Sequence, residues 1–465
     1  MRLTADRVAA AMAGTIVFGR GTREFTGVSI DTRTLAPGEL FFGIRGERFD
    51  GADFAQAAIG AGAAGLVVPR RRGRLLARDT DVVVIEADDP TTALQTLAHA
   101  VRIDSGAKVV AITGSAGKTT TKEATAEFLA ARYRVIRNRG NLNNHIGVPL
   151  SLMALTARPE IAVVEFGMNH AGEISTLVHI AEPEVRVWTN VGEAHLGFFS
   201  SVEAIADAKA EILLGATSGT VLVANADDPR IAARTGSFAG RVVTFGIDRD
   251  ADVHATALVD RGIEGVSARV STPRGDMDLA TPLLGRGNLA NVLAATAVAI
   301  EFGIPLDGIV ERAARLRPAP RRGEVLRLAE GVIVIDDSYN ANPDAMRRAL
   351  EVFRTAEGAS RRVAVVGEML ELGDRAVALH RDVGATVAAA RVDLLLTFGG
   401  APARALADAA VGAGMPRDRV RHVATSAEAA TEAAELTKPG DLVLVKGSRG
   451  VRGDVVVERL KAEFA

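Results

Sequence analysis

The residues Lys108–Thr113 (KVVAIT) form a short apolar, β-branched run, and Gly114-Ser115-Ala116-Gly117 follows at once. Lys118, Thr119 and Thr120 then open a stretch with helical character that extends to about Arg132. The run reads as a buried strand, so the sequence predicts strand, glycine turn and helix in direct succession. Such a junction aims loop N–H groups and the positive end of a helix at one point, where an anion binds. In a phosphate loop of this kind Gly114, Ser115, Ala116 and Gly117 offer backbone donors. Lys118 reaches the β- and γ-phosphates, and the hydroxyl of Thr119 or Thr120 ligates Mg²⁺. The usual loop opens with a glycine where this chain has Ile112, so GSAGKTT is a shortened version. The plainer alternative is a glycine turn carrying a surface lysine.

The rest of the chain is organised around this junction. Residues 1–104 read as a first unit centred on SIDTRTLAPGELFFGIRGERFDGADF, with turns at Pro37-Gly38 and Asp50-Gly51 around a strand at residues 40–44. Thr4 is expected to cap a short first helix, and Asp89-Pro90 to begin a helix that leads into the loop. Residues 105–318 form a second unit, in which apolar strands near 109–113, 161–166, 185–189, 221–224 and 242–245 alternate with helical patterns. That alternation predicts a mostly parallel sheet. Turn signals at Arg261-Gly262 and Arg274-Gly275 predict appended antiparallel strands over 252–284, and an Ala-rich helix follows from Asn288 to about Phe302. Arg315 to Gly323 (RLRPAPRRG) is the best linker, and residues 319–465 repeat strand and helix as a doubly wound, Rossmann-like domain does. The fold class expected is α/β with three domains.

Composition narrows the function classes. The 465 residues contain no Cys, which excludes disulfides and thiolate metal sites, and the net charge of −2 does not suggest nucleic acid as a main partner. No apolar run is long enough to span a bilayer. Asp6 and Arg7 interrupt any signal-peptide pattern, so a cytoplasmic location is expected.

Several other groups could do chemistry. Glu165 ends the strand IAVVE, where a carboxylate faces the ligand crevice of a parallel sheet. Mg²⁺ is a natural partner for it, and a salt-bridged strand-end Glu the alternative. His195, in TNVGEAHLGFF, follows another strand end, and His170 follows Glu165. Ser200 and Glu203 are expected to form a capping box for the helix that carries Lys209, which from the residues alone reads as a solvated lysine. Asn288 is expected to cap the Ala-rich helix, with Asn291 beside it. DDSYNANP, from Asp336 to Pro343, and KGSRG, from Lys446 to Gly450, both follow strands and would line a crevice rim suited to an anionic substrate.

Taken in order, TGSAGKTT, EFGMNHAGEI, NVGEAHLGFF, the lysine of AKAEI, GNLANVLAA, DDSYNANP and VKGSRG resemble the Mur ligases. These are ATP-dependent amide ligases of cytoplasmic peptidoglycan precursor synthesis, and hence of cell wall biogenesis, cell shape and cell division. The resemblance spans nearly the whole chain. NLNNHIGVPLSL, DDSYNANP and GEMLELGDRAVALH look like the branch whose substrates are UDP-N-acetylmuramoyl-tripeptide and D-alanyl-D-alanine. The resemblance implies a small N-terminal α/β domain that binds the UDP end, a central P-loop ATPase domain and a C-terminal ligase domain. It implies that Lys118 and Thr119 bind ATP phosphates and Mg²⁺, and that Glu165 and His195 ligate a pair of Mg²⁺ ions. Lys209 matches a lysine that is carbamylated in several members and then holds the second ion, which reverses its reading as a solvated side chain. Asn288 and Arg322 match nucleotide contacts, with Arg321 as the alternative to Arg322, and Asp337 matches a ribose contact. Ser29, Asp31 and Arg33 lie in the segment that receives UDP, and Asn143 and Asn144 near the muramoyl or diphosphate part. Asn340, Asn342 and Ser448 belong to a domain implied to present the dipeptide. A monomer is expected. The chain departs from the family at Gly287, where relatives often carry His, and in Pro-Arg-Arg-Gly before Glu324. The rival readings are another Mur-type or folylpolyglutamate-type ligase, and a P-loop phosphotransferase or nucleotide-regulated binding protein.

Overall fold

The computed structural model describes residues 2–73, 81–138, 140–194, 196–358 and 360–465. By internal contacts the chain divides into two units, Met1–Ile112 with Arg132–Arg186 and Glu211–Thr220, and Thr113–Ala131 with Val187–Ala210 and Val221–Ala465.

In the first unit, β1 (Thr15–Phe18), β2 (Val28–Ser29), β3 (Leu40–Phe42), β4 (Gly65–Pro69) and β5 (Val83–Ala87) form a sheet ordered β1-β5-β4-β3-β2. β2 to β5 are parallel and β1 runs against β5. The register places Phe41 beside Leu66 and Leu66 beside Val84. These side chains share a face and pack on Ala52, Ala55 and Ala58. Each large side chain buried there contributes roughly 1.5–3 kcal/mol. The helix Pro90–Ser105 follows, with Asp89 accepting from the N–H groups of Thr91 and Thr92 and left-handed Gly106 ending it. β6 (Lys108–Thr113), β7 (Val135–Arg137) and β8 (Ile161–Glu165) then pair in parallel in the order β7-β8-β6. β9 (Val185–Trp188) spans the division between the units.

In the second unit, β10 (Val221–Asn225), β11 (Arg241–Gly246), β12 (Val253–Asp260), β13 (Val266–Thr272) and β14 (Gly275–Thr281) pair in chain order, parallel as far as β12 and antiparallel beyond. The helix Gly285–Glu301 packs on Lys118–Leu129. A further sheet of β15 (Glu324–Arg327), β16 (Ile333–Asp337), β17 (Arg361–Gly367), β18 (Leu394–Phe398), β19 (Val420–Val423) and β20 (Asp441–Lys446) has the order β15-β16-β20-β17-β18-β19. Only β15 is antiparallel. Val334, Val363, Val365, Leu396, Phe398, Val443 and Val445 of that sheet pack with residues of the helices Ser426–Leu436 and Asp454–Glu463.

The α/β class and the antiparallel appendage are as expected. Local assignments differ at several points. The phosphate-loop helix stops at Leu129. Thr4 stands at the first helix's N-cap but makes no side-chain cap bond. The Ser200–Glu203 capping box does not form: Ser201 Oγ accepts from Ala204 N (3.1 Å), and Glu203 pairs with Arg230 and Arg234. Asn288 is no cap either, because the helix begins at Gly285 with Leu284 as N-cap, and Asn288 Nδ2 donates to Leu284 O (2.9 Å). β1, β2, β5, β7, β15 and β19 were not expected from the sequence.

Candidate active site

The predicted junction is present. β6 ends at Thr113 and the helix starts at Lys118, with Gly117 left-handed (φ 80°) at its N-cap. The first intrahelical bond is from Thr121 N to Gly117 O (2.9 Å), so the N–H groups of Lys118, Thr119 and Thr120 point out of the helix end. Two glycines are required by space as well as by backbone angle. A Cβ on Gly114 would collide with Thr189 Oγ1, and one on Gly117 with the Asn291 carboxamide. Lys118 Nζ donates to Gly114 O (2.8 Å) across the loop.

The loop is held by residues that follow β9. Asn190 Oδ1 accepts from Ala116 N (2.8 Å) while Asn190 Nδ2 donates to Ala116 O (2.9 Å). Ser115 N donates to Asn190 O (3.0 Å), Gly192 N donates to Ser115 Oγ (2.9 Å), and Ser115 Oγ donates to Gly192 O (3.2 Å). Thr189 Oγ1 also donates to Ala116 O (2.8 Å). The segment is braced in turn by Asn225 Nδ2 on Thr189 O and by Asp228, whose carboxylate accepts from Val191 N (2.7 Å).

His195 lies outside the described residues. Lys209 lies near the end of the helix Val202–Ala210 and is 1% exposed, which overturns its reading as a solvated lysine. Asn288 Oδ1 accepts from Asn291 Nδ2 (3.2 Å), so the two asparagines form one patch beside Gly117. Arg348 lies over Gly287, where a Cβ would sit 3.3 Å from its Cδ.

In the first unit Glu165 is buried at the end of β8, paired in register with Ile112 of β6. Asn143 Nδ2 donates to Glu165 Oε1 (2.8 Å), and Asn138 Oδ1 accepts from Glu165 N (2.9 Å). Asn144 Oδ1 accepts from Ile146 N and Gly147 N, so this side chain starts the helix Gly147–Leu152. His170 is exposed, 3.6 Å from Glu173. At the carboxyl end of β2, Arg33 makes a bidentate pair with Asp31, whose carboxyl it holds down to about 2 through side-chain and backbone hydrogen bonds. Ser29 Oγ accepts from Asp31 N (3.2 Å).

The residues expected to line a crevice rim lie at the carboxyl ends of β16 and β20. Lys446, buried, donates to Asp337 Oδ2 (2.6 Å) and to Asn340 O (3.0 Å). Burial pushes the Asp336 carboxyl up, against hydrogen bonds from Ser338 that pull it down. Ser448 Oγ accepts from Leu370 N (2.9 Å) and donates to Ala341 O (3.3 Å), so it ties three segments together. Asn342 accepts from Ala345 N as N-cap of Pro343–Thr355, and Asn340 Oδ1 accepts from Ala341 N. Arg321 pairs with Asp454 (3.3 Å), whereas the Arg322 guanidinium stacks 4.1 Å from the Tyr339 ring centroid.

Among the described residues no three His, Asp or Glu side chains cluster as a metal site. Mg²⁺ does not need such a cluster, since it is held by one or two protein oxygens together with substrate phosphates. The Thr119 hydroxyl and the Glu165 carboxylate are oxygen donors of that kind. Asn190, which grips the loop, and Asp228, which braces the segment after β9, are residues that sequence reasoning missed. For Asn190 the one available signal is a polar residue directly after a fully buried strand.

A glycine loop locked between a parallel strand and a helix, with the helix-end N–H groups left open, is the phosphate-binding device of a nucleotide-using enzyme. Comparison with known proteins agrees. Residues 24–139 match the Mur ligase family catalytic domain, 112–299 the Mur ligase middle domain and 321–449 the Mur ligase glutamate ligase domain. The UDP-N-acetylmuramoyl-tripeptide–D-alanyl-D-alanine ligase of Escherichia coli is 38% identical over 437 residues, 93% of each chain. A crystal structure of MurF from Acinetobacter baumannii matches with a TM-score of 0.89 at 30% identity over 99% of both chains. MurF ligase from Thermotoga maritima in complex with ADP matches with a TM-score of 0.82 at 28% identity, over 94% of this chain and 97% of that one. The chain belongs to the Mur ligase family.

Proposed function

We propose that this protein joins D-alanyl-D-alanine to UDP-N-acetylmuramoyl-tripeptide at the expense of ATP, giving the pentapeptide precursor of peptidoglycan. The observation that carries this is the locked phosphate loop, in a chain that aligns over 93% of its length with the E. coli ligase of that name. The ADP complex of the Thermotoga relative supports ATP as the nucleotide. The reading takes residues 1–104 as the UDP-binding domain, 105–318 as the ATP-binding domain and 319–465 as the ligase domain. It takes the protein as a cytoplasmic monomer. No helix among the described residues is long and apolar enough to cross a membrane.

A carboxylate acylates an amine only after its oxygen becomes a leaving group. Transfer of the γ-phosphoryl group to the peptide carboxylate makes an acyl phosphate, which the dipeptide amine attacks, expelling phosphate. The chain's contribution is positioning and charge neutralisation. Gly117, Lys118, Thr119 and Thr120 cradle the phosphates, and Lys118 exchanges its bond to Gly114 O for the γ-phosphate. Thr119, Glu165, His195 and Lys209 would hold magnesium ions, whose charge would offset repulsion between the triphosphate and the carboxylate. Lys209 would do so as its carbamate, since an amine has no oxygen to offer the metal. Arg322, which is not ion-paired with any described residue, contacts the nucleotide in preference to Arg321, and Asn288 and Asp337 flank it. Ser29, Asp31 and Arg33 receive the UDP end, and Asn143 and Asn144 lie near the diphosphate. Asn340, Asn342 and Ser448 shape the dipeptide side.

The test is phosphate release with ATP, Mg²⁺ and the UDP-tripeptide, with and without D-alanyl-D-alanine. Dipeptide-dependent release with the pentapeptide seen by mass supports the reading, and release that needs only a single amino acid moves the protein to another ligation step. Lys118→Ala should abolish ADP formation. A carbamate resonance from ¹³C-bicarbonate that is lost in Lys209→Ala tests the carbamate without relying on turnover.

A further inference from the structure

The segment that locks the phosphate loop also reaches the helix Pro343–Thr355 and the turn Gly373–Arg375. Glu193 directly follows Gly192, the partner of Ser115 in the loop. Its backbone N–H donates to Asp344 Oδ2 (3.0 Å), in the first turn of the helix Pro343–Thr355. Its carboxylate lies between two arginines from separate elements, Arg347 of that helix at 3.4 Å and Arg375 of the turn Gly373–Arg375 at 3.6 Å. Arg347 also bonds Asp344 Oδ1 (2.9 Å), which closes the cluster. Gly192 admits the approach because a Cβ there would collide with the Asp344 carboxylate. Four residues further on, Gly197 N donates to Glu371 O (2.8 Å), so the same segment meets residues 371–375 twice.

We infer that Glu193 is a positioning residue that couples the phosphate loop to the part of the enzyme that presents the incoming amine. The path is short and polar at every step, from Ser115 to Gly192 and Glu193, and from there to Asp344, Arg347 and Arg375. Both arginine-bearing elements lie close to proposed dipeptide-side residues. The helix Pro343–Thr355 begins directly after Asn342, and residue 370, whose N–H donates to Ser448 Oγ, leads into the turn that carries Arg375. Each pair is partly solvated and contributes little to stability alone. One carboxylate shared by two guanidinium groups therefore sets an orientation more than it adds stability. If that orientation loosens, the amine is delivered late. Water can then cleave the acyl phosphate, which returns the carboxylate and free phosphate with no amide formed.

This inference rests on the proposed ligase reaction, and the experiment separates the two. Phosphate and pentapeptide are measured together for the full-length wild type, Glu193→Gln, Arg375→Met and the double variant. Glu193→Gln should raise the KM for D-alanyl-D-alanine about fivefold, a modest coupling, and leave the KM for ATP nearly unchanged. Phosphate should exceed pentapeptide, and the double variant should be no worse than the stronger single one. An equal fall in kcat with unchanged KM and one phosphate per pentapeptide would overturn the inference, as would additive effects of the two substitutions. Should Glu193→Gln fail to fold, Arg375→Met, altered at a side chain that is more than half exposed, carries the same test. A wild type whose phosphate release ignores the dipeptide would overturn the ligase reading itself.

Discussion

The Asn190 carboxamide grips the Ala116 peptide from both sides, accepting from its N–H at 2.8 Å and donating to its C=O at 2.9 Å. A backbone amide held in this way cannot rotate, so the loop is set before nucleotide arrives. Asn190→Ala removes both bonds; Ala116 O keeps the Thr189 hydroxyl, but Ala116 N is left partly buried without a side-chain partner, a cost of roughly 1–3 kcal/mol. The expected result is a 10- to 100-fold fall in kcat/KM for ATP, about 1.4–2.7 kcal/mol, with a smaller change in the KM for the dipeptide. Asn190→Asp should be worse than Ala. It keeps the acceptor for Ala116 N but sets an anionic oxygen against Ala116 O and beside the phosphates. Steady-state kinetics with ATP as the varied substrate checks the order of the two variants.

Gly117 and Gly106 both have positive φ, 80° and 66°, but differ in surroundings. A Cβ on Gly106 meets nothing within 4 Å, while one on Gly117 strikes the Asn291 side chain. Gly106→Ala should therefore cost only the left-handed backbone penalty of ~1–2 kcal/mol and leave turnover intact. Gly117→Ala should pay that penalty and also displace Asn291, with ATP turnover lost. Thermal melts and phosphate release on the two variants separate backbone strain from damage to the site.

The strand–loop–helix junction was legible because its signals are local: a β-branched run, two glycines and a helix start within a dozen or so residues. The clamp that holds it was not, since Asn190 is 74 positions from Ala116 and Glu193 is 151 from Asp344. Pattern reading carries no register between segments so far apart. Lys209 shows the same limit. Its neighbours Ala208 and Ala210 allow either a solvated or a buried face, and only the family resemblance favoured a functional lysine. Of the strands that were missed, β1, β2, β7, β15 and β19 are outermost in their sheets. Edge strands bury less and so show weaker apolar patterning. Asn288 looked like a helix cap because Asn is a good one, yet the helix starts three residues earlier, at Gly285, whose φ of 72° no ordinary side chain favours.

Lys446 and Asp337 form a pair in which the lysine is 2% exposed and the aspartate 23%. Removing one partner strands the other, and for buried pairs this costs up to ~3–5 kcal/mol. Lys446→Met should approach that range, because Asp337 and Asn340 O both lose their donor. Asp337→Asn should cost less, since Lys446 keeps its bond to Asn340 O. The double variant should be more stable than Lys446→Met alone, a sign of coupling that chemical denaturation of all four proteins would show.

His380 is fully buried, with Nε2 accepting from Met369 N (2.9 Å) and Nδ1 donating to Ala376 O (2.7 Å). Both bonds need the neutral ring, because a proton on Nε2 would face the Met369 N–H. Burial lowers the His380 pKa from its ordinary 6.5, with the hydrogen bond to Ala376 and the charge of Glu368 opposing. The sign follows. Above 6.5 the ring is neutral in both states and costs nothing. As pH falls below 6.5 the unfolded chain takes up a proton that the folded chain still refuses, and stability is lost until the folded pKa is reached. His422 is shifted in the same direction, again mainly by burial. Unfolding free energy should therefore decline between about pH 7 and pH 5. His380→Leu should be less stable than wild type at pH 7, through the lost bonds, yet show a shallower decline over that window. Urea unfolding at half-unit steps of pH decides the matter. A variant with the wild-type slope would place the proton uptake elsewhere and leave His380 protonated in the fold, against the geometry of the Met369 N–H.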